Sequence, residues 1–475
     1  MARILLSLSN AIMDGNAWRP VCFYEQLINA LTEEGNDVLL YIPNKFHSCV
    51  FGSGNNMFPN VDEDKLVEDI KAFNPELVIA FNNAIYHKIL DVTDCRIVVW
   101  DADLVPLWSQ VDLIKNNLDR YVFFSFVDYY RRKEQEIIGF KDEQSLIVPQ
   151  GTVMRNTHAE KKTNISFIGT NFGTRFSFID LIKKHSGEPE LLSLLHRIRN
   201  DSVFDKDALM RDLTDESLKN DLNAVNDGDI PYFFPGEERL RILLALSDLG
   251  LNLYAQGDWI AQALVLPSLA ACDTRQTVYS LADNERIYNQ SKICVNINHK
   301  TQAAHGMSWR IPDIMATGGC LVSSYSPAIK EKFKNYVDIP MFDNEYDART
   351  LCQKILNDEK WRADIVAGSN AAIEKEGRWT HSLKKAEDFL NIKLTDLGKK
   401  GSLTVLEPVF LISEKIVSFS GSKISWKNKI RYKLWKHLNK KETASLWEYK
   451  IHKHLSKKLV KKGIIPSYTP LSRGK

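Results

Sequence analysis

The sequence predicts an α/β protein built from two Rossmann-like domains that face a central cleft, with a helical insertion in the second domain and a basic amphipathic helical tail. Three observations predict it. Short apolar runs alternate with helical patterns, which is how a parallel sheet with crossover helices reads in sequence. That rhythm stops at a polar segment around Lys161 to Asn164 and restarts with Ile165-Ser166-Phe167-Ile168-Gly169. Finally, 475 residues with 44% hydrophobic content exceed one ordinary core and suffice for two large domains plus an appendage.

The first domain is read over residues 1–160. Its strands are expected at Ile4–Leu8, Val38–Tyr41, Leu77–Phe81, Ile97–Trp100, Tyr121–Ser125 and Ser145–Val148. A helix is expected from about Trp18 to Glu34, stopped by Gly35 and Asn36. The second domain is read over 161–395, with further strands at Leu251–Ala255, Thr277–Tyr279, Ile293–Ile297 and Cys320–Ser323 and closure near Asp388. Between its first two strands lies a charged, leucine-containing helical insertion, about 185–246, broken at Ile230-Pro231-Tyr232-Phe233-Phe234-Pro235.

The tail, 396–475, behaves differently. Apolar residues recur every four positions at Trp426, Ile430, Leu434 and Leu438, and again at Trp447, Ile451, Leu455 and Leu459, with basic residues between them. From Lys423 onward, 16 Lys and Arg face only Glu442 and Glu448, so the tail carries +14 and the rest of the chain −12. Two basic amphipathic helices of this kind suit an anionic membrane surface, each cation contributing about 1 kcal/mol. A solvated helical pair packed on the body is the plainer alternative. No nucleic-acid partner is expected, because no reading module accompanies the charge.

The seven cysteines stand singly, mostly in apolar stretches such as Ile293-Cys294-Val295, and read as reduced core residues. No zinc-type spacing occurs, and no metal is expected. The opening apolar run is too short for a signal peptide, and no run reaches the ~20 residues that span a bilayer. The expected location is cytoplasmic, peripheral at the inner face of the plasma membrane.

The most informative stretch runs from Arg286 to His299 and on through His305-Gly306-Met307-Ser308-Trp309-Arg310-Ile311-Pro312-Asp313 to Gly318-Gly319. It reads as a helix ending near Lys292, a buried strand with Asn296, Asn298 and His299 at its exit, a polar loop, and a helix closed by two glycines. Open α/β sheets bind ligands at the carboxyl ends of their strands, where a helix start holds phosphate. Asp313 is a candidate acceptor for ribose hydroxyls. Lys292 and Arg310 are candidates to neutralise a diphosphate leaving group. Solvated surface charge is the alternative reading for both.

The run Ile287-Tyr288-Asn289-Gln290-Ser291-Lys292-Ile293 with Asn296, then Arg310, Asp313, Met315-Ala316 and Gly318-Gly319, resembles the C-terminal half of the spore-maturation-protein-like (CgeB-type) glycosyltransferases of the GT-B superfamily. Ser166-Phe167-Ile168-Gly169 with Arg175 is similar to the start of that family's second domain, and Val99-Trp100-Asp101-Ala102-Asp103 with Pro106 to a turn of its first. The resemblance spans roughly residues 1 to 390. It implies a GT-B fold with a nucleotide-sugar donor on the second domain, an acceptor on the first, and no metal or other cofactor. The retaining branch of the superfamily uses two glutamates separated by seven residues. Here His305 and Asp313 stand at those positions, which leaves the donor and the stereochemical outcome open.

The site residues implied are Asp101, Asp103 and His305 for catalysis, the two aspartates as general-base candidates. Gly169, Arg175, Tyr288, Lys292, Asn296, His299, Arg310, Asp313, Gly318 and Gly319 are assigned to the donor, and Gly15 and Asn16 to the acceptor side. The two aspartates alternatively cap a turn, or form the metal-binding pair of a single-domain GT-A enzyme; His299 and His305 alternatively serve structure alone. The expected function is sugar transfer to a growing surface glycan, of lipopolysaccharide, O-antigen or capsule type. A CMP-sugar-dependent transferase of an acidic sugar such as Kdo, and a non-catalytic glycan-binding or scaffolding protein, are the alternatives.

Overall fold

The computed structural model describes residues 2–462, apart from 10, 15–16, 48–56, 59, 104–107, 171–175, 201–205, 225–228, 255–258, 260–265, 300–304, 397, 412–425, 439–440 and 442. The first domain opens with β1 (Arg3–Ser7) and a hairpin of β2 (Ala11–Asp14) and β3 (Ala17–Pro20). It then alternates helices with β4 (Asp37–Tyr41), β5 (Leu77–Phe81), β6 (Arg96–Trp100), β7 (Tyr121–Ser125) and β8 (Ser145–Ile147). These six strands of the large sheet, β1 and β4 to β8, fall within a residue or two of their expected places. Pairing is parallel, with Ile4 opposite Val38 on one side and Leu77 on the other. All five residues of β5 are buried, as in a strand covered on both faces.

Helix α1 (Cys22–Glu33) starts four residues later than expected. Trp18 and Pro20 are taken by the hairpin, opposite Met13 and Ala11, and the residue before a proline is held extended. Gly35, at φ 86°, ends the helix as expected.

The second domain is a five-stranded parallel sheet of β9 (Thr163–Ile168), β10 (Leu251–Tyr254), β11 (Ser291–Asn296), β12 (Cys320–Ser324) and β13 (Met341–Phe342), in the order β10-β9-β11-β12-β13. The expected strand Thr277–Tyr279 is not a strand. After a bridge between Leu253 and Asp273, that segment leaves the sheet and runs past its carboxyl edge. The insertion is helical as expected, but α2 (Asp229–Leu246) includes the proline-rich segment. Pro231 falls in its first turn, where a missing amide donor costs nothing.

The chain leaves the second domain earlier than residue 395. In α3 (Trp379–Leu390), Trp379, Leu383, Ala386 and Leu390 recur at helical spacing and join Ile4, Leu6 and Leu40 in the first domain's core. Strand β14 (Leu403–Val405) then pairs parallel with β4, giving the first sheet seven strands in the order β14-β4-β1-β5-β6-β7-β8. An apolar stripe announces that a helix packs, not which core it serves. The two crossings between domains lie side by side. Thr152 bridges Arg378, and a Cβ on Gly151 would stand 2.5 Å from the Trp379 nitrogen.

The tail also docks on the first domain: Phe410 stacks on Tyr449 with centroids 4.5 Å apart, and Asn60 donates to the Tyr449 hydroxyl at 3.2 Å. Its helices α4 (Trp426–Leu438) and α5 (Leu446–Lys461) bury Trp435, Leu438, Leu455 and Leu459 against each other. Trp426, Ile430, Leu434 and Trp447 from the expected stripes remain exposed.

Candidate functional site

A cavity of about 390 Å³ lies where the amino end of α1 faces the carboxyl ends of β9 and β11. Its first-domain wall is Val21, Cys22 and Phe23. From the second domain come Ile168, Gly169 and Thr170 at the carboxyl end of β9, Ile297 and His299 after β11, Tyr279, Tyr288, and the segment Ser308, Trp309, Arg310 and Asp313. This is the crevice in which open α/β sheets bind ligands. No side chain caps α1 at Val21, so the amides of its first turn face this wall with the positive end of the helix dipole.

Two arginines form the floor. The guanidinium carbons of Arg239, from α2, and Arg310 lie 5.5 and 5.6 Å from the centre of the Phe167 ring. Arg239 is fixed by donating to the Thr170 carbonyl at 2.6 Å. Arg310 Nη1 is buried without a hydrogen-bond partner, and among the described residues no carboxylate lies within ion-pairing distance of it. Gly169 leaves the room: a Cβ there would come within 3.0 Å of the Phe167 ring and 3.4 Å of Arg310 Nη2. Loss of solvent disfavours the charge on both arginines, and at Arg239 the repulsion of Arg310 adds to it. Two like charges, one buried and one half-buried, are held here at a cost that a bound anion relieves.

Asp313 sits beside them, buried, accepting a hydrogen bond from Gln26 of α1 at 2.9 Å. Gln26 is itself held by Thr152, whose hydroxyl donates to Gln26 Oε1 at 2.9 Å. Burial pushes the Asp313 carboxyl up to about 7, against the lowering effect of its hydrogen bonds and of Arg310. His299 is pushed the other way, to about 4, first by burial and then by Arg239, so at neutral pH it offers a neutral ring.

Of the residues singled out in sequence, Gly169, Tyr288, His299, Arg310 and Asp313 line this one cavity. Asn296 stands just behind it, donating to Asn298 Oδ1 at 2.8 Å and Ser323 Oγ at 2.9 Å, which fixes the exit of β11 before His299. Lys292 is misplaced by the sequence reading. It is the second residue of β11, at the amino end, roughly 16 Å of extended chain from the cavity rim. Gly318 and Gly319 likewise precede β12 at the far edge of the sheet. They are packing glycines, since a Cβ on Gly319 would come 2.4 Å from Cys294 Sγ and 2.6 Å from the Tyr288 carbonyl oxygen. Gly319→Ala is therefore expected to destabilise the second domain by ~1–3 kcal/mol, seen as a lower melting temperature, while donor affinity in the folded fraction is unchanged.

His305 is exposed and does not line the cavity; it stacks on Tyr129 of the first domain with centroids 3.9 Å apart. Asp101 and Asp103 also lie off the cavity, beyond a run of rings leading from Trp309 through Phe126 to Trp100. Asp101 is buried, accepts from the Phe126 amide at 3.1 Å, and is raised by burial and by the adjacent Glu134. Asp103, crowded yet open to solvent, accepts from Asn82 at 2.8 Å. Asn82 in turn accepts the amides of Ala102 and Asp103, tying the exits of β5 and β6 together. Gly15, Asn16 and Arg175 lie outside the described residues.

Arg239 and Gln26 were not legible as site residues. Arg239 stands among the charged residues of the leucine-containing helical insertion, and Gln26 inside an ordinary amphipathic helix.

Residues 240–388 match a sequence family described as glycosyl transferase-like. No curated protein sequence matches the chain. Among solved structures, the chain is similar to a glycosyltransferase from Rickettsia africae (10% identity, 82% of this chain and 98% of that one, TM-score 0.44). It is likewise similar to the sucrose-phosphate synthase of Thermosynechococcus elongatus (12%, 82% and 98%, 0.46). A third is Anabaena HepE in complex with UDP and glucose (11%, 82% and 100%, 0.45). The architecture is two parallel α/β sheets with the cavity between them, and residues 240–388 carry the glycosyl transferase-like sequence.

Proposed function

We propose that this glycosyltransferase of GT-B architecture moves a sugar from a nucleoside-diphosphate donor, held in the cavity between the domains, to a lipid-linked surface glycan at a membrane. The observation that carries the reading is the pair of arginines over Phe167, Arg239 buried and Arg310 half-buried, facing the uncapped start of α1. Two cations and the positive end of a helix dipole suit a diphosphate better than the single phosphate of a CMP-sugar. As the glycosidic bond to phosphate breaks, negative charge grows on the leaving oxygen, and pre-placed arginines stabilise that charge without reorganising. Asp313 is suited to accept from a ribose hydroxyl, and the neutral His299 to hydrogen-bond the sugar or phosphate.

A second cavity, about 420 Å³, shares Tyr279 with the first and is lined by Trp18, Arg19, Glu25, Asn29, Asp283, Leu403 and Val405. Its aromatic and polar wall suits a glycan, and exposed Leu403 and Val405 suit an adjoining lipid. We assign the acceptor to it.

No helix among the described residues is long and apolar enough to cross a membrane. The tail supplies a different attachment: its two helices bury one apolar seam between them and leave Trp426, Ile430, Leu434 and Trp447 exposed beside lysines. The full chain is expected to co-sediment with vesicles containing anionic lipid and to transfer labelled sugar to a lipid-linked glycan carried in them. Ile430→Glu with Trp447→Glu should reduce vesicle binding at least tenfold and leave donor binding intact. Equal binding to neutral vesicles, or no loss in the double variant, would show that the tail merely packs on the body.

A further inference from the structure

We propose that the helical insertion holds one divalent cation of the zinc class on His185, Glu188 and Asp215. One ligand atom from each of the three lies within 4.8 Å of the others. The imidazole is the informative group. His185 is 2% exposed, and its Nδ1 is buried with no hydrogen-bond partner. Glu188 Oε2, which faces it, is 3.7 Å away, too far for a hydrogen bond. Two ligands of one tetrahedral zinc, each about 2.0–2.1 Å from it, stand roughly 3.3 Å apart, so this gap closes around a cation by a small adjustment.

The surroundings are those of a metal-bound histidine. The other ring nitrogen, Nε2, meets Asp221 Oδ2 at 2.7 Å, and Asp221 is held by Lys184 at 2.6 Å. A carboxylate on the far nitrogen sets the tautomer and turns the free nitrogen toward the metal. The carboxylates are also held in place. Glu188 follows a turn at Gly187, whose φ of 92° suits glycine. Asp215 caps the helix Glu216–Ala224, Oδ1 accepting from Ser217 at 2.8 Å and Leu218 at 3.0 Å, and its own amide donates to Glu190 at 2.7 Å. Sequence spacing did not show the site because its ligands come from the ends of three different helices.

The insertion has reason to need such a tie. Its core is a small cluster, Leu181, Leu191, Leu194, Ile198, Leu209, Leu213, Leu218 and Leu222, distinct from the core of the second sheet. Small cores are commonly stapled by metal.

The test uses the full chain, stripped with a chelator and titrated with Zn²⁺, then with Co²⁺ as a spectroscopic substitute. One equivalent should bind, giving visible Co²⁺ bands of a nitrogen- and oxygen-ligated site and slower proteolysis within the insertion. His185→Gln and Asp215→Asn, each checked for folding by circular dichroism, should lower cation affinity at least tenfold. Asp221→Asn should lower it by about 10–100-fold through the second nitrogen. Failure to bind a stoichiometric cation, or undiminished affinity in both ligand variants, would overturn the proposal and leave the cluster an ion-pair knot. Donor binding at the arginine site is measured separately and does not depend on this outcome.

Discussion

Replacing Arg310 with methionine is expected to weaken nucleoside-diphosphate sugar binding about a hundredfold while leaving the fold as stable as before, or more so. The two effects have one cause. Arg310 is half-buried, its Nη1 is out of solvent without a hydrogen-bond partner, and its charge is disfavoured by lost solvent. An apolar side chain of similar length removes that penalty, and buried charges replaced in this way commonly stabilise a fold. The same charge placed against a diphosphate makes charge-assisted hydrogen bonds whose loss amounts to roughly 2.7 kcal/mol, a factor of one hundred. Arg310→Lys should recover only part of the affinity, because an ammonium cannot present two parallel donors. Calorimetric titration and thermal melting on the same preparations check both halves. A variant that loses stability along with affinity would mark Arg310 as a packing residue.

Asp313→Asn should produce the second large effect, and it should depend on pH. Burial raises this carboxyl from 3.8 to about 7. Between those values the folded state binds more protons than the unfolded state, so stability falls as pH rises through the window and stays lower above it. Asparagine does not ionise. The melting temperature of the variant should therefore gain on wild type between pH 5 and pH 8. Donor affinity should move oppositely: in wild type it rises with pH through about 7, as the carboxylate becomes the stronger acceptor for a ribose hydroxyl, and in the variant it is weak and flat. His299, held near 4, contributes no step in that range. A wild-type profile flat from pH 6 to 8 would remove Asp313 from the donor contacts.

The first sheet was legible strand by strand because buried parallel strands are continuous apolar runs, such as Leu-Val-Ile-Ala-Phe at 77–81. Thr277–Tyr279 failed because three β-prone residues specify a strand only when a neighbour pairs with them, and here none does. The return of α3 and β14 to the first domain was hidden for a related reason: Trp379 and Leu383 state their face but not their partner. At the site, the residues just after β9 and β11 and on the following helix were legible, since Gly169, His299, Arg310 and Asp313 all follow a strand's carboxyl end. Lys292 and Gly319 failed because they lie at the amino ends of β11 and β12, and composition does not distinguish one end of a strand from the other. Arg239 and Gln26 reach the cavity from helices distant in sequence, which only the packing reveals.

The most direct measurement is calorimetric titration of the full chain, wild type and Arg310→Met, with UDP-, GDP- and CMP-sugars. One nucleoside-diphosphate sugar is expected to bind at one equivalent, CMP-sugars to bind more weakly, and the variant to lose about a hundredfold in affinity without losing stability. Folded wild-type protein that binds none of these donors, or a variant that binds as tightly as wild type, would contradict the donor assignment.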